Sequence, residues 1–145
     1  MEKAGENMKS ARQYAAEHNI EVDQIPLFSL DALSVEYDNG CCAIAIDPNR
    51  IESYADENTK IAHELGHCLY GGFYSRLTPL YTREKHEYKA NVWAVKFLVP
   101  WDELHEAIHN GITEPWELAE YFSVTEAFIN LALEYYLERK GYSLD

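Results

Sequence analysis

"KIAHELGHCLYGG", residues 60–72, is the stretch on which the reading of this chain turns. His63, Glu64 and His67 fit the pattern His-Glu-x-x-His, which on a helix sets two imidazoles one turn apart on one face. Ile61, Leu65, Cys68 and Leu69 supply an apolar face, so the helix should be anchored in a core, as a rigid metal site requires. Gly66 costs about 1 kcal/mol relative to alanine in a helix interior. A glycine makes sense there if another element packs close against the backbone.

The same pattern recurs in "HEAIH", residues 105–109. Chance alone gives ~0.03 such matches in a chain of this composition, so each is informative and neither is proof. The surroundings decide. HEAIH lies on a short helix between Pro100 and Asn110-Gly111, and Trp101, Leu104, Ala107 and Ile108 explain it as a surface helix with His105 and His109 exposed. Its one mimic of a third ligand, Glu126 with Asn130 a turn later, stands in "SVTE" (residues 123–126). That reads as a capping box in which the glutamate caps the helix start.

The first motif finds its complement in "EYKANVWAVKFLVP", residues 87–100. Glu87 stands near the start of the next strong helix, which Ala90, Ala94, Phe97 and Leu98 allow to pack tightly. Asn91 shares the face of Glu87 and can accept a hydrogen bond from the far nitrogen of a ligand histidine, fixing its tautomer. A catalytic zinc takes three protein ligands and a water. His63, His67 and Glu87 are therefore the expected ligands of one zinc per chain, with Glu64 as general base. The longer pattern of another zinc-protease class needs Gly and a third His where Tyr70 and Phe73 stand, so a glutamate ligand is favoured.

Outward from these helices, residues 3–18 read as a helix with Ala4, Met8, Ala11 and Ala15 in line. "LSVEY" (residues 33–37), the Asn-Gly turn in "DNG" (38–40) and "CCAIAI" (41–46) make a β-hairpin. Helices are expected over 56–70, stopped by Gly71-Gly72, and over 84–98, stopped before Pro100, with shorter ones at 101–109, 114–121 and 124–140. No repeat or linker interrupts the chain. The expectation is one α+β domain over residues 1–145, with helix and hairpin in 1–50, zinc-site helices in 51–100 and a helical cap in 101–145.

At 145 residues, 47% of them hydrophobic and 13% aromatic, the chain is long and apolar enough to bury a core. Its net charge of −13 argues against nucleic-acid binding and suits solubility or a basic partner. The opening "MEKAGENMKS" has no signal-peptide pattern, and no run approaches the ~18 apolar residues of a membrane span. The three cysteines are odd in number, with Cys41 and Cys42 adjacent, so no disulfide framework is implied. Cys68 reads as a buried thiol, and a reducing, cytoplasmic location is expected.

HELGH followed by a helix that carries Glu-x-x-Ala-Asn and ends in Leu-x-Pro resembles the ImmA/IrrE family of bacterial and phage metallopeptidases. The resemblance is carried by Ile61 to Pro100, and the order of the other elements extends it over nearly the whole chain. It implies a zincin-like fold, a single zinc held by His63, His67 and Glu87, and Glu64 as general base. Family members typically cleave a helix-turn-helix repressor beside them in a mobile element or phage, and others serve stress responses. Many carry an N-terminal DNA-binding domain; here a single helix precedes the hairpin. "ELAEYFSVTEAFINLALEYY" (117–136) is itself similar to a helix-turn-helix, but glutamates and tyrosines stand where a groove reader needs Arg or Lys. It reads as a cap on the protease core.

The expected activity is zinc-dependent endopeptidase, acting on a protein partner and binding neither nucleic acid nor membrane. The alternative is a zinc-binding regulatory module that sequesters its partner uncut, against which the intact Glu64 argues. Candidate oxyanion donors are Tyr74, Tyr81, Arg83 and His86, in or beside the loop "FYSRLTPLYTREK" (73–85). Residues Cys41, Cys42, Ala43, Ile44, Ala45 and Ile46 are either an edge strand that holds substrate extended or ordinary core packing.

Overall fold

In the computed structural model, which describes residues 9–70 and 77–145, the first helix begins at a reciprocal cap. Ser10 Oγ accepts from the Gln13 N–H at 3.1 Å, and Gln13 Oε1 accepts from the Ser10 N–H at 2.8 Å. Helix α1 is therefore Ala11–Glu17, with Ala11 and Ala15 fully buried. The longer helix expected from residue 3 does not run through Ser10, and residues 3–8 lie outside the described residues.

Three strands follow: β1 (Glu21–Gln24), β2 (Ala32–Glu36) and β3 (Cys42–Ile46), in the order β1-β3-β2. β2 and β3 form the expected antiparallel hairpin, while β1 pairs parallel to β3. β1 was not legible: only Val22 of its four residues is even partly buried, so it lacks the apolar alternation of a strand. Its presence corrects the placing of Cys41–Ile46. That strand is the centre of the sheet, hydrogen-bonded on both sides, and cannot take a substrate strand on its edge. Ala43, Ile44 and Ile46 are buried there, with Cys41 exposed just before the strand begins, so the core-packing reading holds.

Helix α2 (Tyr54–Tyr70) packs on β2 and β3, and Ile61 and Leu65 join Ile44 and Ile46 in one buried cluster. Helix α3 (Leu80–Leu98) starts one turn earlier than expected, directly after Pro79. The two helices touch at Gly66, where a Cβ would stand 2.7 Å from Cα and O of Ala90. Only glycine admits that approach.

The cap comprises α4 (Trp101–His109), α5 (Pro115–Phe122) and α6 (Glu126–Leu133), the last continuing as a π-helical stretch over Glu134–Arg139. Glu126 does not close a capping box with Ser123. Ser123 ends α5 in the left-handed region (φ 57°), and Thr125 caps α6 by accepting from Phe128 N–H at 3.1 Å. Buried Asn58 of α2 ties the cap down: its Nδ2 donates to the Ser123 carbonyl (3.0 Å) and its Oδ1 accepts from the Ala11 N–H (2.8 Å). A polar residue on an apolar helix face is buried at no loss when both ends are satisfied.

Cys42 and Cys68 form a disulfide, Cα–Cα 5.7 Å, joining β3 to the turn after His67. This corrects the reading of Cys68 as a free buried thiol. Neighbouring residues of a strand face opposite ways, so Cys42 turns towards α2 while Cys41 stays free and exposed, and the odd count conceals a pair. No helix among the described residues is long and apolar enough to cross a membrane.

Candidate metal centre

The contact of Gly66 with Ala90 determines what faces what. Ala90 lies one turn beyond Glu87, so pressing the two backbones together sets Glu87 opposite His63 and His67. His63 Nε2 is 2.7 Å from Glu87 Oε2, His67 Nε2 is 3.0 Å from Glu87 Oε1, and the two Nε2 atoms are 3.3 Å apart. All three residues offer ligand atoms within 4.8 Å of one another, and no other such group occurs among the described residues. Zinc at about 2.0–2.2 Å from tetrahedral ligands would hold them roughly 3.3–3.5 Å apart. The two histidine nitrogens already stand at that spacing, the contacts to Glu87 are hydrogen-bond distances that would lengthen around an ion, and two imidazoles with a carboxylate are a donor set that fits zinc.

The tautomer fits as well. Asn91 Oδ1 lies 2.7 Å from His63 Nδ1 and can accept its N–H, the tautomer in which a metal would take the place of the proton that Nε2 shares with Glu87. Burial works against the charged form of His63, but Glu87, by hydrogen bond and charge, and then Glu64 and Asn91 outweigh it and lift its pKa above the ordinary value. The site carries an excess of negative charge that a dication would answer.

Glu64 stands beside this cluster and outside it. Its Oε1 accepts from Ser34 Oγ of β2 at 2.8 Å. The open space next to it, about 420 Å³, is walled by Ala32 of β2, by Lys60, His63 and Glu64 of α2, and by Phe128 and Leu131 of α6. Lys60 spans its rim, paired with Asp31 at 2.7 Å and Asp56 at 3.1 Å. The α6 helix thus lines the cleft, a role that sequence reasoning did not assign to it. Ser34 was missed too: the alternation of "LSVEY" points to Leu33, Val35 and Tyr37 as the buried face, yet those three are exposed and Ser34 is the residue that meets α2.

Of the oxyanion candidates, Tyr74 lies outside the described residues. Tyr81, Arg83 and His86 are on α3 rather than in a loop. Tyr81 is 77% exposed and His86 half-buried, whereas Arg83 lines a hollow of about 360 Å³ with Glu87 and Asn91. Arg83 Nε is buried with no hydrogen-bond partner among the described residues. The second motif is put to other use. The rings of His105 and His109 lie 4.3 Å apart, and His109 Nε2–H donates to the Leu144 carbonyl at 2.6 Å. Glu126 and Asn130 are both exposed and join no such cluster.

A family model described as Peptidase_M78, IrrE N-terminal-like domain, matches residues 11–134. No curated protein matches the chain.

Proposed function

The chain belongs to the Peptidase_M78 family of IrrE N-terminal-like domains, and from that premise we propose that it is a zinc-dependent endopeptidase cutting a helix-turn-helix repressor. Membership supports peptidase chemistry on a protein substrate and implies a metal. The observation that carries the finer reading is the division of roles at α2. His63 and His67 converge with Glu87, while Glu64 stands next to them without joining the cluster. A site built only to hold a metal has no use for that carboxylate.

Zinc, when bound by His63, His67 and Glu87, supplies a Lewis acid and a water of lowered pKa. Glu64 accepts the proton of the attacking water and passes it to the leaving amine. Asn91 keeps the His63 tautomer correct. Arg83 is our choice for the donor facing the developing oxyanion, because its side chain lines the hollow shared with Glu87 and Asn91. The substrate lies extended along β2, the sheet edge nearest Glu64, and not along β3. A net charge of −13 favours a basic partner, and DNA-binding repressors are basic. Such a partner places the action in the cytoplasm, in control of a mobile element, a phage or a stress response. We take residues 1–145 as one domain.

The test is co-expression with a candidate helix-turn-helix regulator, followed by intact-mass analysis. Wild type should yield discrete fragments, suppressed by a chelator and restored by zinc. If wild type and Glu64→Gln both leave the regulator whole yet release it from DNA equally, the chain sequesters its partner without proteolysis.

A further inference from the structure

We propose that Ser34 is a positioning residue: its hydroxyl aims the Glu64 carboxylate from the strand that receives the substrate, an inference that rests on the peptidase reading above. Among the described residues β2 is an edge, and its ladder to β3 is defined at both ends. Tyr37 N–H donates to the Cys41 carbonyl (2.8 Å) and Asp47 N–H to the Asp31 carbonyl (3.0 Å). Bonding alternates along an antiparallel pair, so Asp31, Leu33, Val35 and Tyr37 turn their backbone groups towards β3. Ala32, Ser34 and Glu36 turn theirs outward, to the free edge. The pattern is self-consistent, since Ile46, opposite Ala32, offers its carbonyl to Ile25 on the β1 side at 2.9 Å.

Ser34 therefore presents N–H and C=O to an incoming strand while its side chain points to the opposite task. Its Oγ–H donates to Glu64 Oε1 at 2.8 Å, across thirty residues of sequence. One carboxylate oxygen is thereby engaged, and the other is left to meet the water. Without the hydroxyl, Glu64 has no described hydrogen bond to fix its rotamer against the cleft. A backbone docked on β2 and a base held from β2 share one rigid frame, which is how a scissile carbonyl and a proton acceptor are kept in register.

The test compares wild type, Ser34→Ala and Ser34→Thr, each zinc-loaded, by calorimetric titration with a peptide hydroxamate, a ligand that chelates the metal and hydrogen-bonds the glutamate base. Zinc content should be equal in all three. Ser34→Ala should bind the hydroxamate on the order of tenfold more weakly, and Ser34→Thr, which keeps the hydroxyl, should recover wild-type affinity. On a pool of peptides digested from unrelated proteins, Ser34→Ala should lower kcat on the order of tenfold with KM little changed. Unchanged hydroxamate affinity in Ser34→Ala, or a loss that Ser34→Thr does not restore, overturns the proposal. If wild type binds zinc and hydroxamate but cuts neither the peptide pool nor a co-expressed helix-turn-helix regulator, the peptidase reading fails, and the hydroxamate comparison still decides the role of Ser34. If wild type holds no zinc, both fall.

Discussion

Glu64 and its two histidine neighbours differ in what their loss should remove. Ligand loss removes the metal; base loss removes only proton transfer. Elemental analysis should find about one zinc per chain in wild type and in Glu64→Gln, and little in His63→Ala, His67→Ala or Glu87→Ala. Glu64→Gln should also cost on the order of 10²- to 10⁴-fold in turnover. Metal kept in His63→Ala would refute the ligand assignment. The other motif supplies the control: the double change His105→Ala with His109→Ala removes the contact to Leu144 and should leave zinc content and cleavage near wild type. Total loss of activity in a folded double variant would show that HEAIH matters to the chemistry. Spacing made the ligand histidines legible, because a turn of helix is local. Ser34 was not, because its bond to Glu64 depends on how a strand and a helix meet.

At the level of elements, Gly66 sets the distance between α2 and α3. Alanine is ordinarily the better helix former by about 1 kcal/mol, so Gly66→Ala at an open site would stabilise. Here the added Cβ would meet the Ala90 backbone at 2.7 Å, and a backbone cannot swing aside like a flexible side chain. The helices must part, and Glu87, one turn from Ala90, must move with them. Gly66→Ala should lower stability by roughly 1–3 kcal/mol and weaken zinc binding though no ligand is changed. Thermal unfolding and a competitive zinc titration would check the two effects; a variant more stable than wild type would refute the close-packing argument. After the first, whose start was expected eight residues too early, the helices were legible in the sequence to within a few residues because their apolar faces repeat. β1 was not, as a short polar strand takes its identity from the neighbour it pairs with, and without β1 the central strand β3 was mistaken for a possible edge.

Over the whole molecule, the charge leads where the sequence reading did, and the disulfide leads away from it. A net charge of −13 leaves little for DNA phosphates to bind. Fluorescence titration at low salt should find no sequence-specific complex, and one formed at submicromolar protein would overturn this. The Cys42–Cys68 bond bears on stability and on compartment. It bridges residues 26 apart and joins the sheet to the helix that carries the ligands. Closing a loop of that length removes unfolded-state entropy equivalent to about 3.5 kcal/mol. For a chain of this size that corresponds to a fall in Tm of roughly 7–14 °C on reduction. Cys42→Ser and Cys68→Ser should each show the lower Tm without reductant and no further fall with it, whereas Cys41→Ser should behave as wild type. Native protein should titrate one free thiol, that of exposed Cys41. A reducing, cytoplasmic location was expected from the cysteine count together with the missing signal-peptide pattern, and a formed bridge removes the first of these grounds. Three titratable thiols with a Tm indifferent to reductant would restore it, and would leave Cys42 and Cys68 as two thiols packed side by side.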